Sequence, residues 1–174
     1  MRVSIGGLPG SGTTTAAYLL RDKTGMNVVS AGETFRQMAE ERGVSLAEFG
    51  RMSEEDDSID RGLDARMTSI ARENDGIILE GRLIGALCKK ENIPVLAVWL
   101  TAPPVVRAER ISGREGLDLE NTTKEMLERE KSEHTRYLSF YGIDNQDASL
   151  YDLVIDSHEN SPEQIVDQIL EAMK

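Results

Sequence analysis

The chain has 174 residues, 39% hydrophobic and 29% charged, with a formal net charge of −11. That length suits one domain with a real core, while the acidity excludes broad binding to nucleic acid, which needs a basic surface. No apolar run approaches the roughly 20 residues of a membrane span, the apolar stretch at 1–7 is too brief for a signal peptide, and the single Cys88 permits no internal disulfide and fits a reducing cytoplasm.

In chain order, "RVSIGG" (2–7) reads as a buried strand and "TTTAAYLLRDKTG" (13–25) as a helix closed by Gly25. "NVVSAG" (27–32) reads as a second strand ending in a turn, followed by short helices over 33–43 and 45–56. Ile59, Leu63, Met67, Ile70 and Ala71 recur at helical spacing, so 58–72 is an amphipathic helix. "GIILEG" (76–81) is a third strand, 83–91 a helix, and "IPVLAVWLTA" (93–102) a fourth strand.

Pro103 starts a helix to about 112. Residues 113–121 read as a loop, and Thr122-x-x-Glu125 as a capping box opening a long helix over 123–141. "YDLVIDS" (151–157) is a fifth strand. Ser161-Pro162-Glu163-Gln164 has the form of a capped helix start, and the last helix buries Ile165, Ile169 and Met173. The strands are continuous apolar runs separated by helices. This is the pattern of an α/β domain with a five-stranded parallel sheet covered on both faces. Ligands in such sheets bind beyond the carboxyl ends of the strands.

The most specific segment is "GLPGSGTTT", residues 7–15. It follows a strand and opens a helix, and it matches the phosphate-binding spacing G-x-x-x-x-G-K-[ST] except that Thr13 takes the lysine position. Gly7, Gly10 and Gly12, with Leu8, Pro9 and Ser11 between them, let backbone N–H groups converge on phosphate oxygens. The helix N-terminus adds partial positive charge. Thr14 stands where a hydroxyl meets Mg²⁺, and Thr15 follows it. The bland alternative is a glycine turn without a ligand. In the phosphate reading, the missing lysine charge must come from elsewhere in an acidic chain.

Two arginine rows offer it. Arg107, Arg110 and Arg114 lie at i, i+3 and i+7, and Arg129, Glu133 and Arg136 at i, i+4 and i+7 in "REKSEHTR". Arginine binds phosphate in a bidentate manner, but either row is equally a salt-bridged helix surface. Arg36 and Arg82 follow the second and third strands and so belong at the sheet's carboxyl edge. Glu80 ends the third strand, either as a carboxylate holding Mg²⁺ through water or as a merely polar strand end.

Taken together, these segments resemble the nucleoside monophosphate kinase family, and within it the archaeal-type cytidylate kinases, over essentially the whole chain. The resemblance implies a three-layer P-loop kinase fold in a single domain, 1–174, with a monophosphate-binding helical segment at about 33–72 and a lid at about 113–140. "GLPGSGTTT" is similar to the family's ATP loop. "VVSAGETFR" resembles the monophosphate-binding turn, which implies that Arg36 contacts the acceptor phosphate, and "ILEGRLIG" implies the same of Arg82. "ERISGRE" resembles the approach to the lid, with Arg110 near adenine and Arg114 near the ATP phosphates. "REKSEHTR" resembles the lid signature R-x-x-x-[DE]-x-x-R, implying that Arg129 and Arg136, with Glu133 between them, close on the transferring phosphates.

The chain departs from the family at Thr13 and at Glu80, where relatives often place aspartate. Asp60 and Arg61 in "SIDRGLD" are candidates to read cytosine, because a carboxylate accepts from its amino group. The implied reaction is ATP + CMP giving ADP + CDP, with dCMP a second acceptor and Mg²⁺ as cofactor. The implied protein is a cytoplasmic monomer without nucleic-acid or membrane partners. The rivals are an adenylate kinase or other small-acceptor kinase, a nucleotide-binding switch, and a scaffold with a decayed loop. No N-K-x-D guanine-reading sequence occurs to favour a switch.

Overall fold

The computed structural model describes the backbone of residues 1–174 and every side chain except those of residues 46 and 47. The strands are β1 (Val3–Gly7), β2 (Asn27–Ser30), β3 (Ile77–Glu80), β4 (Leu96–Thr101) and β5 (Leu153–Asp156). They form one parallel five-stranded sheet in the order β2-β3-β1-β4-β5. The helices are α1 (Thr13–Thr24), α2 (Ala31–Glu41), α3 (Leu46–Glu55), α4 (Asp57–Glu73), α5 (Ile84–Lys90), α6 (Pro104–Glu115), α7 (Leu119–Tyr141) and α8 (Pro162–Ala172). Among the described residues, no helix is long and apolar enough to cross a membrane.

Side chains alternate across each strand, so the sheet has two apolar faces. One face carries Val3, Ile5, Ile78, Val98, Leu100 and Ile155 and packs on α1 and α8 through Ala16, Leu20, Ile165 and Ile169. The other carries Ile77 and Leu79 against Met67 and Ala71 of α4 and Ile84 and Cys88 of α5. The helices α2 to α4 hold a smaller core of their own around Ala39, Phe49 and Ile59. The result is the expected three-layer α/β architecture.

Several boundaries differ from the sequence reading, each for a local reason. The second strand stops at Ser30 rather than 32, because the Ser30 hydroxyl caps α2 by accepting from the Glu33 N–H. Residues 113–121 are not a loop. Helix α6 continues to Glu115, Gly116 ends it at φ 65°, and Asp118 caps α7 by accepting from the Asn121 N–H at 2.9 Å. Thr122 therefore lies buried inside α7 and caps nothing. The capping box at α8 is present in both halves, Ser161 N–H to Gln164 at 2.8 Å and Gln164 N–H to Ser161 at 3.3 Å. Met173 is half-buried against the core rather than enclosed.

Candidate active site

Strand β1 delivers the chain to the glycine loop, and Gly12 opens α1 without any side-chain cap. The first N–H groups of α1 are thus left without an intrahelical acceptor, at the positive end of the helix dipole. Gly10 and Gly12 have φ of 81° and 88°, which L side chains rarely adopt. A Cβ at Gly7 would lie 2.7 Å from the Leu100 carbonyl oxygen, and one at Gly10 only 2.6 Å from that of Arg107. The loop therefore rests directly on β4 and α6. Leu8 packs beside Trp99 and Tyr151, while Thr14 and Thr15 are exposed at the mouth of the helix. Ser11 is buried, and its hydroxyl has no protein partner.

A cleft of about 310 Å³ opens beside the loop, lined by Gly10, Gly12 and Thr15 from the loop side and by Arg110, Arg114 and Asn160 across from it. Its walls are the start of α1, one side of α6, and the turn after β5.

Thr13, at the lysine position, turns away from this cleft. Its hydroxyl donates to Glu80 Oε1 at 2.7 Å. The Ser30 hydroxyl donates to the other oxygen, Glu80 Oε2, also at 2.7 Å. Glu80 is paired in register with Ile5 of β1 and Ser30 of β2, so its carboxylate reaches both neighbouring strand ends. The carboxylate thus ties the start of α1 to the start of α2. Each oxygen keeps lone-pair capacity after its one hydroxyl bond. With the Thr14 hydroxyl, this is a hard oxygen donor set suited to Mg²⁺ carried on phosphates. Among the described residues, no cluster of three or more His, Cys, Asp or Glu side chains offers a metal cage without such a ligand.

The first arginine row does not act as one face on the cleft. Arg107 is buried. It donates from Nε to the Ala102 carbonyl at 3.0 Å and from Nη1 to the Pro9 carbonyl at 3.2 Å, and it pairs with Glu130 of α7. It braces the glycine loop from behind. Arg110 donates to the Gly10 carbonyl at 3.1 Å and to the Ser157 hydroxyl and carbonyl at 2.9 and 2.8 Å. Arg114 is exposed and held only by its neighbour Glu115 at 2.9 Å.

The second row gathers around one carboxylate. Glu133 is buried, and its Oε1 pairs with Arg82 and accepts from Arg129 Nε at 3.0 Å, while its Oε2 has no hydrogen-bond partner. Arg136 lies 3.1 Å from Asp60 Oδ2. Burial raises the Asp60 carboxyl above its ordinary value, against the opposing pull of Arg136. One helical turn on, burial pushes the Asp64 carboxyl up to about 6, although the Tyr141 hydroxyl donates to it at 2.8 Å. Burial also drives the Tyr137 phenol upward.

Asp60 and Arg61, adjacent in sequence, face different partners. Arg61 pairs with Asp57 at 3.3 Å and stacks over the Phe140 ring at 4.8 Å. Arg36 is exposed on α2, with no hydrogen-bond or ion-pair partner among the described residues. Site residues missed in the sequence are Ser157 and Asn160, which follow β5 at the sheet's carboxyl edge. That placement after a strand was the available signal.

Residues 2–159 match the model of the cytidylate kinase-like family. The chain is similar to a cytidylate kinase of Methanococcoides burtonii, 50% identical over 157 residues that cover 90% of this chain and 87% of the relative. It is also similar to one of Methanosarcina acetivorans, 46% identical over 96% and 93% of the two chains. Among solved structures it resembles the shikimate kinase of Bacteroides thetaiotaomicron in fold, with a TM-score of 0.67 and 14% identity over 99% and 98% of the two chains.

Proposed function

The chain belongs to the cytidylate kinase-like family, and on that premise we propose how its residues carry out the reaction. It is a cytidylate kinase, a phosphotransferase moving the γ-phosphoryl group of ATP to CMP. The observation that carries this reading is the glycine loop, with its uncapped α1 N-terminus beside an open cleft, in a chain half identical to a cytidylate kinase. We extend the acceptor range to dCMP. The chain works as a monomer in the cytoplasm, a reading supported by its composition and its one buried free thiol.

Phosphoryl transfer asks little covalent work of a protein and much positioning and charge stabilisation. The loop N–H groups from Gly10 to Thr15 would hold the β- and γ-phosphates. Adenine would lie in the cleft against Arg110. Mg²⁺, held by the Thr14 hydroxyl and through water by Glu80, would supply charge neutralisation on the donor phosphates.

Arg36, free of protein partners, and Arg82 would fix the acceptor phosphate. Arg114, Arg129 and Arg136 would gather on the transferring group and exclude water. Arg82, largely buried, and Arg129, exposed, both pair with Glu133, so phosphate would take over two guanidiniums already gathered at one point. Asp60 and Arg61 would meet the cytosine. The acceptor phosphate is already an anion, so no general base is needed.

A coupled ADP-release assay across CMP, dCMP, UMP and AMP tests this. We expect turnover with CMP first and dCMP second. A clear preference for AMP would overturn the acceptor assignment, and tight ATP binding without transfer to any of the four would support the scaffold reading.

A further inference from the structure

Thr13 and Ser30 belong to opposite sides of the reaction. Thr13 is the first residue of α1 and continues the donor loop. Ser30 caps α2, the helix that carries Arg36. Among the described residues no hydrogen bond joins the two, yet each donates its hydroxyl at 2.7 Å to a different oxygen of the same carboxylate, Glu80. The sheet order explains why. Strand β3 lies between β1 and β2, and Glu80 is level with Ile5 on one side and with Ser30 on the other. The backbone is equally tight there: a Cβ at the following Gly81 would lie 2.9 Å from the Ala31 Cβ at the start of α2.

We propose that Thr13, Glu80 and Ser30 form a positioning bridge that sets the donor loop and the acceptor-binding helix at the separation required for in-line transfer. This rests on the phosphotransfer reading above. It gives the threonine at the lysine position a task of its own. A carboxylate gripped from both sides by short hydroxyl side chains has little freedom, since each hydroxyl has few rotamers and one bond direction. The bridge fixes the relative position of two sites that must meet within about an ångström, where a misplacement of ~1 Å costs on the order of 10²-fold in rate. In this scheme the Thr13 and Ser30 side chains touch neither substrate; both act through Glu80, and the Ser30 hydroxyl also caps α2.

The test compares wild type with Thr13→Val, Thr13→Ser, Ser30→Ala and the double variant Thr13→Val/Ser30→Ala, in steady state with ATP and CMP varied. Thr13→Val keeps the shape and removes the hydroxyl. It should lower kcat at least about tenfold, with KM for each substrate within about threefold, the split expected when binding survives and alignment fails. Thr13→Ser should recover most of the lost kcat. Ser30→Ala, on the acceptor side, should show a similar loss, and the double variant should lose little more than the worse single variant, because a bridge broken at one end is already broken.

Three outcomes would overturn the bridge: kcat within about twofold of wild type in both single variants, a Thr13→Val loss confined to KM for ATP, or losses that multiply in the double variant. Thermal melts of each variant separate misfolding from misalignment, and Thr13→Ser keeps the test decisive should the valine variant not fold. A wild-type chain inactive on CMP overturns the phosphotransfer reading, and the bridge with it. An active wild type with unaffected variants overturns the bridge alone.

Discussion

Arg136 of α7 lies 3.1 Å from Asp60 of α4, yet neither the guanidinium Nε nor the carboxylate Oδ2 finds a hydrogen bond in that contact. It is an ion pair without hydrogen-bond alignment, largely withdrawn from water. A phosphate offers Arg136 bidentate geometry that Asp60 does not. On the proposed mechanism the pair would hold the arginine close to the site before substrate arrives.

If Arg129 and Arg136 supply the charge that Thr13 lacks, removing either must hurt the chemical step. Arginines that stabilise transferring phosphoryl groups are worth 10³–10⁵ in kcat. We expect Arg129→Ala and Arg136→Ala each to lower kcat at least about 100-fold. Rates within about threefold of wild type would sink the lid-arginine account.

Asp64 makes stability depend on pH. Its folded value, about 6, lies above the ordinary carboxylate value because the group is buried. Below about pH 4 both states are protonated and nothing is lost. As pH rises toward 6 the unfolded chain ionises first, and folding stability falls by at most about 3 kcal/mol, remaining lower above pH 6. Asp64→Asn removes this burden. Its melting temperature should exceed that of wild type at pH 8, with a gap that closes as pH falls from 6 to 4. Parallel melting curves across that range would refute the assignment.

The glycine loop should tolerate change unevenly. Gly10→Ala places a Cβ against a backbone carbonyl of α6, and the conformation is left-handed as well. Gly12→Ala meets only the conformational penalty, roughly 1–2 kcal/mol, since nothing lies within 4 Å. Gly10→Ala should therefore raise KM for ATP and lower the melting temperature clearly more than Gly12→Ala. The reverse ranking would mean that the loop does not lean on α6 in solution.

Thr13→Lys asks whether the loop is short of a cation. The new ammonium would lie beside Glu80 and pair with it. ATP binding should remain, and kcat should not rise. An increase beyond about tenfold, or ~1.4 kcal/mol of barrier, would show that the arginines leave a deficit.

The strands, the glycine loop and the Ser161 cap were legible because each depends on neighbours within a few residues, and the parallel sheet because its strands are continuous apolar runs separated by helices. The short helix-cap motifs were less secure: Thr122 and Asp118 both head plausible caps, and only the turn at Gly116 decides for Asp118. Arg107 was grouped with Arg110 and Arg114 by spacing alone. What makes it a buried brace is Glu130, 23 residues on, and the carbonyl of Pro9, 98 residues back. Likewise, Thr13 read as a gap in the loop, because its partner Glu80 lies 67 positions away. Spacing shows which residues share a helix face but not what that face meets.

The brace at Arg107 also says where a lid on this fold can hinge. Glu130, largely but not fully enclosed, pairs with it, and the buried Met126, one turn earlier in α7, packs against the same guanidinium. Breaking such a pair costs about 3–5 kcal/mol, so α7 is pinned at mid-length to the floor of the ATP loop. A lid that moves on this fold should therefore end before Met126 and include Arg114. Arg129 lies within the pinned stretch and Arg136 beyond it. On the proposed mechanism they would reach substrate by rotating their side chains away from Glu133 and Asp60, without travel of the helix. Opening and closing should then govern access to the donor side, while the helix backbone that carries Arg129 and Arg136 stays in place from one turnover to the next.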